Sequence, residues 1–297
     1  MTTTISQEDF AELLTPDHVD MSQLPPPNVI EPLSFEQIFQ ELLADFRNRK
    51  PEYTALVESD PVIIGLECAA YRELLLRYRI NEAAKASMIA YATGTDLDNL
   101  AAFYGLIRQE NETDDRLRYR TQLALEALTT AGSEKAYLFH TLSADARVKS
   151  ASVQSPTPGK VVISILSADN GGTADEELIG IVDKYVSSED KRPLTDQVTV
   201  QSAELVKYQI KATVYLYFSP SASVTEQESR DTLAKYVEKH ATIGNLIARS
   251  GIFDALHAEG VQKVELAEPA QDIVATKSQA PICTETDITY VIANDGN

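Results

Sequence analysis

An α+β fold is predicted, with an N-terminal arm and a helical module followed by two small mixed α/β units. Three observations carry the prediction. Apolar residues recur at helical spacing over 34–145 and at alternating spacing from 146 onward. The run from Asp60 to Arg108 reads as a long helix, a stop and a second helix. Leu24-Pro25-Pro26-Pro27-Asn28 is a stiff extended stretch, because consecutive prolines hold a polyproline II course.

The arm covers residues 1–33. Ahead of its prolines, Phe10, Leu13 and Leu14 are spaced for a short amphipathic helix. A short apolar helix on a stiff tether suits docking onto another subunit, and equally well packing back onto its own domain.

The helical module covers residues 34–145. Ser34 caps a helix carrying Phe35, Ile38, Phe39, Leu42, Leu43 and Phe46. Asp60 is placed to cap the next, with Pro61 at the first helical position, where no donor is needed. This rod is expected to run past Gly65 to a left-handed cap at Gly94, a span of roughly 45–50 Å. Ile63, Leu66, Ala70 and Leu74 form one apolar stripe on it, and Ile64, Cys68, Tyr71 and Leu75 another. A helix apolar on two sides packs against two things at once. Both can lie within one core, or one can be a neighbouring chain. A shorter helix follows Thr95, with Asp98 approximating a capping box. Asp114 starts another through Leu117, Leu123, Leu125 and Leu128, and Ser133 caps a fifth with Ala136, Tyr137 and Phe139.

Residues 146–203 predict a β-β-α-β unit. Val148 to Gln154 alternates, Pro156–Gly159 turns, and Val161–Leu166 returns as the hairpin mate. A helix follows through Leu178, Ile179, Ile181, Val182 and Tyr185, then a strand at Val198–Val200. Residues 204–297 predict a second mixed unit. It has a long strand from Tyr208 to Phe218, a helix capped by Thr225 and another held within Ile243–His257, after the Gly244 break. Strands close it at Val261–Leu266 and Ile288–Ile292. Residues 1–33 and 270–287 are expected to be unordered before assembly.

Composition restricts the function classes. The chain has 297 residues and is 43% hydrophobic, ordinary for a globular protein of two or three units. No stretch approaches the ~20 apolar residues of a membrane span, and MTTTISQEDF has neither the basic start nor the apolar core of a secretory signal. Cys68 and Cys283 are far apart and predict reduced thiols. The net charge of −19 disfavours nucleic acid and anionic membranes as partners. That charge is uneven: residues 1–60 carry −9, 61–150 carry −1 and 151–297 carry −9. The near-neutral middle holds Arg72, Arg77, Arg79, Arg116, Arg118 and Arg120, suited either to contacts between subunits or to an ordinary ion-paired surface.

Catalytic constellations are missing from the sequence. His18, His140, His240 and His257 have no partner at metal-ligand spacing, so no metal and no cofactor is expected. No nucleophile elbow, Walker loop or dinucleotide fingerprint occurs. Asp114-Asp115, Glu176-Glu177 and Glu189-Asp190 are paired acids at helix starts or in loops, where the helix dipole or water accounts for them. Asp169-Asn170-Gly171-Gly172 with Asp175 lacks the ligand alternation of an EF-hand. A glycan hydrolase, which stacks sugars on aromatic rings, is disfavoured by the absence of Trp.

Several motifs in order resemble the baseplate J-like family of contractile phage tails. They begin with Ala92-Thr93-Gly94-Thr95-Asp96-Leu97-Asp98-Asn99-Leu100-Ala101, followed by Gly105 and Arg108. Asp115-Arg116 with Tyr119-Arg120, Ala131-Gly132-Ser133 and Ala136-Tyr137 continue the match. Pro156–Gly159, Arg192–Asp196, Gly251-Ile252-Phe253 and Gly260–Val264 leading to Pro269 complete it over nearly the whole chain. The resemblance implies a non-enzymatic wedge subunit in a sixfold ring around the tail hub, located in the virion and assembled in the host cytoplasm. It implies contacts with copies of itself, a smaller wedge companion of the baseplate protein I type, a sheath-initiating wedge protein and the central hub or spike. A wedge of a contractile bacteriocin or injection device is the near alternative, and a tail glycan hydrolase the distant one. Candidate interface residues are Ile63, Leu66, Ala70, Tyr71, Leu74, Leu75, Arg77 and Arg79.

Overall fold

Local capping chemistry starts most helices where the sequence places them. In a computed structural model, which describes residues 25, 27, 29–53, 57–128, 132–189, 191–219 and 222–293, Ser34 Oγ accepts the Gln37 N–H at 3.3 Å and opens α1 (Phe35–Arg49). Asp60 Oδ1 accepts the Val62 N–H at 2.8 Å and opens α2 (Pro61–Ala86). The expected helix through Phe10, Leu13 and Leu14 lies outside the described residues.

The end of α2 differs from expectation. It stops at Ala86, making a rod of about 39 Å. Ser87 Oγ donates to the Ala84 carbonyl at 2.7 Å, and the Arg118 guanidinium takes the Ile89 and Ala92 carbonyls at 2.8 Å each. These bonds satisfy a turn that the apolar spacing conceals. Gly94 (φ 54°) therefore opens α3 (Gly94–Phe103) instead of closing α2, and Asp98 pairs with Arg108 rather than forming a capping box. Next come α4 (Asp114–Leu123), a 3₁₀ turn (Glu126–Leu128) and α5 (Glu134–Ala144), whose cap Ser133 accepts the Ala136 N–H.

Strands β1 (Val148–Thr157) and β2 (Lys160–Ser167) form an antiparallel hairpin. Asp175 caps α6 (Glu176–Val186), a crossover that returns β3 (Gln197–Ser202) parallel to β2. Helices α5 and α6 bury Tyr137, Leu178 and Val182 against Ile163 and Ile165. At Ala203 the chain passes from the β1-β2-β3 sheet into β4 (Glu204–Tyr217) of a second sheet.

The second sheet has the order β6-β4-β8, with β6 (Val261–Glu268) antiparallel and β8 (Gln279–Ala293) parallel to β4. Helices α7 (Ala222–His240) and α8 (Arg249–Leu256) place Leu233, Ile252 and Leu256 against Ile210 and Val214. Alternate residues of β4 from Tyr208 to Leu216 are buried, as the alternation predicts. Two expectations are corrected and one, the helix within 243–257, is met. Thr225 lies inside α7, where its hydroxyl donates to the Glu259 carbonyl, so it is not a cap. The helix expected within 243–257 is α8, preceded by the short β5 (Leu246–Ile247). Within 270–287, Ile273–Val274 pair with β5 as β7, and the stretch from Gln279 onward pairs with β4 as the first half of β8.

The described chain forms two units. One takes the residues up to Arg108 together with Thr113–Arg118, and the other takes Gln109–Glu112 and the chain from Tyr119 onward.

Candidate subunit interface

Helix α2 is apolar nearly all round, yet among the described residues only one side of it is covered. Ile63 and Ala70 are buried, and α1 lies against α2 with Ile38 and Leu43 buried as well. Leu66 and Leu74 are half-buried beside them. Glu31 is tied to the same side. Asn81, itself buried, accepts the Glu31 N–H at 3.2 Å and donates to the Glu31 carbonyl at 2.8 Å. Arg77 bonds Glu73 at 2.6 Å and sits 3.7 Å from Glu31. The described end of the arm therefore packs back onto its own unit.

The other side of α2 is open. Ile64, Tyr71, Leu75, Leu76, Tyr78 and Ile80 are 41–65% exposed. Cys68 shares that face and is exposed. Arg72 and Arg79 run between its two apolar edges, are exposed, and form no ion pair among the described residues. Of the candidates from sequence, Tyr71, Leu75 and Arg79 lie on this open face, whereas Ile63 and Ala70 belong to the core. Leu76, Tyr78 and Ile80 were missed. The signal for them was available: no polar stripe other than Arg72 and Arg79 interrupts the far side of the helix.

The arginines of the middle segment divide by role. Arg118 spans the turn after α2 and bonds Asp115 at 2.6 Å. Arg120 and Glu112 form a buried ion pair at 2.7 Å, with side chains 4% and 0% exposed. Glu112 also accepts the Gln109 N–H, and Gln109 Nε2 donates to the Ser143 carbonyl. Arg118 and Arg120 are thus internal ties, a correction to their reading as possible intersubunit contacts. Arg108 bridges Asp98 and Asp114 at 2.7 Å each. The Gly94 N–H donates to Asp114, and this bond with the Arg108 charge holds the Asp114 carboxyl below its ordinary range.

The remaining motifs are equally structural. A Cβ on Gly132 would lie 2.5 Å from Pro193 Cγ, and Tyr137 Oη donates to Asp196 at 2.9 Å; burial, with that bond second, raises the Tyr137 pKa. A Cβ on Gly251 would lie 2.6 Å from Tyr236 Oη, so only glycine lets α8 approach that ring.

Among the described residues no group of three His, Cys, Asp or Glu side chains is placed to hold a metal ion, and no helix is long and apolar enough to cross a membrane. A groove of about 620 Å³ between α7, β8 and the 166–172 turn is lined mainly by apolar side chains, with Lys149, Arg230 and Glu238 at its rim. Burial pushes the Cys283 thiol beside it upward, away from the reactive thiolate.

A helical unit with one open apolar helix face, joined to two helix-covered sheets tied by buried polar bonds, defines a component built for assembly. Three family models match in order: the Baseplate J-like N-terminal domain over residues 58–115, the Baseplate J-like central domain over 129–202 and the Baseplate J-like protein C-terminal domain over 208–290. The chain belongs to the baseplate J-like family and is a structural protein of the virion's tail baseplate. It is 44% identical over 291 residues to Baseplate protein J of Escherichia phage P2, a match that takes in 90% of this chain and 96% of that protein. Among solved structures it aligns with a chain of the anti-feeding prophage (AFP) baseplate, 6-fold symmetrised, at a TM-score of 0.35 and 10% identity. That alignment covers 84% of this chain and 53% of the other, so the chain spans about half its length, and the likeness is too loose to bear on function.

Proposed function

We propose that the chain is a wedge subunit that forms a sixfold ring around the central hub and passes on the contraction signal without catalysis. The open apolar face of α2 carries this reading, because a soluble protein rarely leaves such a surface without a partner. That face would meet a second copy of this chain together with the smaller wedge companion of the baseplate protein I type. The sheath-initiating wedge protein and the hub or spike would lie alongside. The division of labour follows the order of the chain: a docking arm over 1–33, a helical contact module over 34–145, and mixed units over 146–203 and 204–297 that link neighbouring wedges. The net charge of −19 fits a partner set of proteins, without nucleic acid or membrane. Signal transmission would be a population shift between two packings of the ring, biased by whatever binds the open arrangement more tightly.

Quantitative mass spectrometry of intact, purified tails tests the reading. A copy number that is a multiple of the tail's sixfold symmetry is expected. Absence of the chain from finished particles would reduce it to an assembly factor and remove the ring.

A further inference from the structure

Arg72 and Arg79 occupy the centre of the open sector of α2. They lie about 20° from each other round the helix and about 10.5 Å apart along it. Tyr71 and Leu75 flank them on one side and Leu76 and Ile80 on the other, and all six side chains are exposed. Neither guanidinium has an ion pair or hydrogen bond among the described residues, whereas Arg77 on the packed side is held by Glu73. A contact that buries the apolar edges also takes both charges out of water, and each then requires a carboxylate. One heptad separates the two arginines. A charged group at a repeated seam position chooses the partner rather than adding stability.

A second copy of α2 does not meet that requirement. Its Glu73 and Glu82 are held by Arg77 and Lys85, and Glu67 lies about 120° round the helix from Arg79. Two α2 helices side by side in parallel would set each arginine against itself. An antiparallel pair centred on the row would set Arg72 against Arg79. Like charges so placed are destabilising.

We propose that the outer face of α2 takes an amphipathic helix of a different protein, which sets two carboxylates seven residues apart against Arg72 and Arg79. Its apolar side chains pack on the two edges, as in helix-in-groove recognition. Ile64 to Ile80 covers about 24 Å, so about four and a half turns of partner helix suffice. Each guanidinium takes a carboxylate through two parallel N–H bonds, which fixes the register. The local charge permits an acidic partner, since residues 61–150 carry only −1 of the net −19. The proposal rests on the α2 contact reading above and adds to it the chemistry of the partner.

Lysine turns the row into a zero-length probe. Tails assembled with the full-length Arg72→Lys, Arg79→Lys variant are treated with a water-soluble carbodiimide. The reagent joins an amine to a touching carboxylate as an amide and takes up the lost water as a urea. Mass spectrometry should find links from both positions to Asp or Glu residues seven apart in one helix of another tail protein. Links to a second copy of this chain, or none in tails that hold the variant at the native level, would overturn the proposal. In competition for incorporation, Arg72→Glu should be depleted about ten-fold against the native chain, with urea unfolding unchanged. Antiparallel α2 helices would give the reverse, because the substitution sets a carboxylate against Arg79; equal or greater incorporation therefore overturns the proposal too. Cys68, exposed on the same face, separates this failure from that of the contact itself. If its maleimide labelling slows from free chain to tail while no foreign carboxylate is linked, the contact stands and the acidic helix falls. If Cys68 reacts equally fast in both, the contact reading fails and the proposal with it.

Discussion

In the larger unit each sheet carries helices on its buried face, Tyr137, Leu178 and Val182 on one and Leu233, Ile252 and Leu256 on the other. In the helical unit α2 keeps one narrow buried side, Ile63 and Ala70, and turns six large apolar side chains outward. The same kind of residue therefore does two jobs in one chain. Where apolar spacing has a partner within the chain it makes a core. Where it has none it stays exposed, and covering it, as the proposed subunit contact would, contributes roughly 25 cal/mol per Å² of apolar surface. Substitutions should separate the two regimes.

The largest effect should come from the buried ion pair of the larger unit. Glu112→Ala leaves the Arg120 charge buried without its carboxylate, and should cost about 3–5 kcal/mol in urea unfolding. Glu112→Leu combined with Arg120→Met should recover most of that loss, because two charges then leave the interior together. A single-variant cost below about 1 kcal/mol would show that water reaches the pair. By contrast, Arg72→Ala on the open face should change stability by no more than about 0.5 kcal/mol.

A smaller loss is expected where backbone and side chain meet closely. Gly132→Ala sets a Cβ against Pro193 at a residue with φ of 66°, and should cost about 1–3 kcal/mol. An unchanged melting temperature would mean that the 192–196 loop yields.

Acid should act on the larger unit before the helical one. Among the described residues the Nδ1 atoms of His140 and His240 are buried without a hydrogen-bond partner, and burial lowers both from their ordinary 6.5. Lys191 adds to the shift at His140, and Lys239 at His240. In each case the unfolded chain binds the proton more readily than the fold does. Their contribution is complete above 6.5 and lost as pH falls through the lower folded values. Asp114 in the helical unit is also lowered, so its contribution is complete above its ordinary 3.8 and is lost only as pH falls below that. Hydrogen exchange resolved by segment should show the larger unit weakening first on acidification, and His140→Gln should reduce the difference. Simultaneous weakening from pH 6.5 downward would sink the assignment.

What the sequence made legible was local. Ser34, Asp60 and Ser133 act within three residues of themselves, so their caps could be read directly. The end of α2 could not, because Arg118, distant along the chain, supplies the bonds that stop it. The first half of β8 was hidden for a related reason: its ladder partner is β4, and its Thr284–Asp287 run is exposed, so no apolar alternation marks it. Both stripes of α2 were visible as apolar. Which one the fold keeps was not, since α1 and the Glu31 tie at Asn81 make that choice through contacts between separated segments. The arginines failed in the opposite direction: their charge was read as surface, whereas Arg118 and Arg120 take their partners inside.

The smallest expected change in stability is the one that bears most on function. Leu66 is half-buried beside the packed side of α2, so Leu66→Asp mixes a folding cost with any loss of contact. Leu75, 41% exposed about a quarter-turn round the helix from Leu74, separates the two. Leu75→Asp should leave urea unfolding of the isolated chain within about 0.5 kcal/mol of the native protein. In assembled tails the same carboxylate would be taken out of water without a partner, at a cost of several kcal/mol, so the variant should be depleted when it competes with the native chain for incorporation. Equal incorporation, with stability also unchanged, would mean that this face stays wet in the finished particle. The apolar excess of α2 would then need another cover, and the contrast between the two units would describe one chain's folding rather than its assembly.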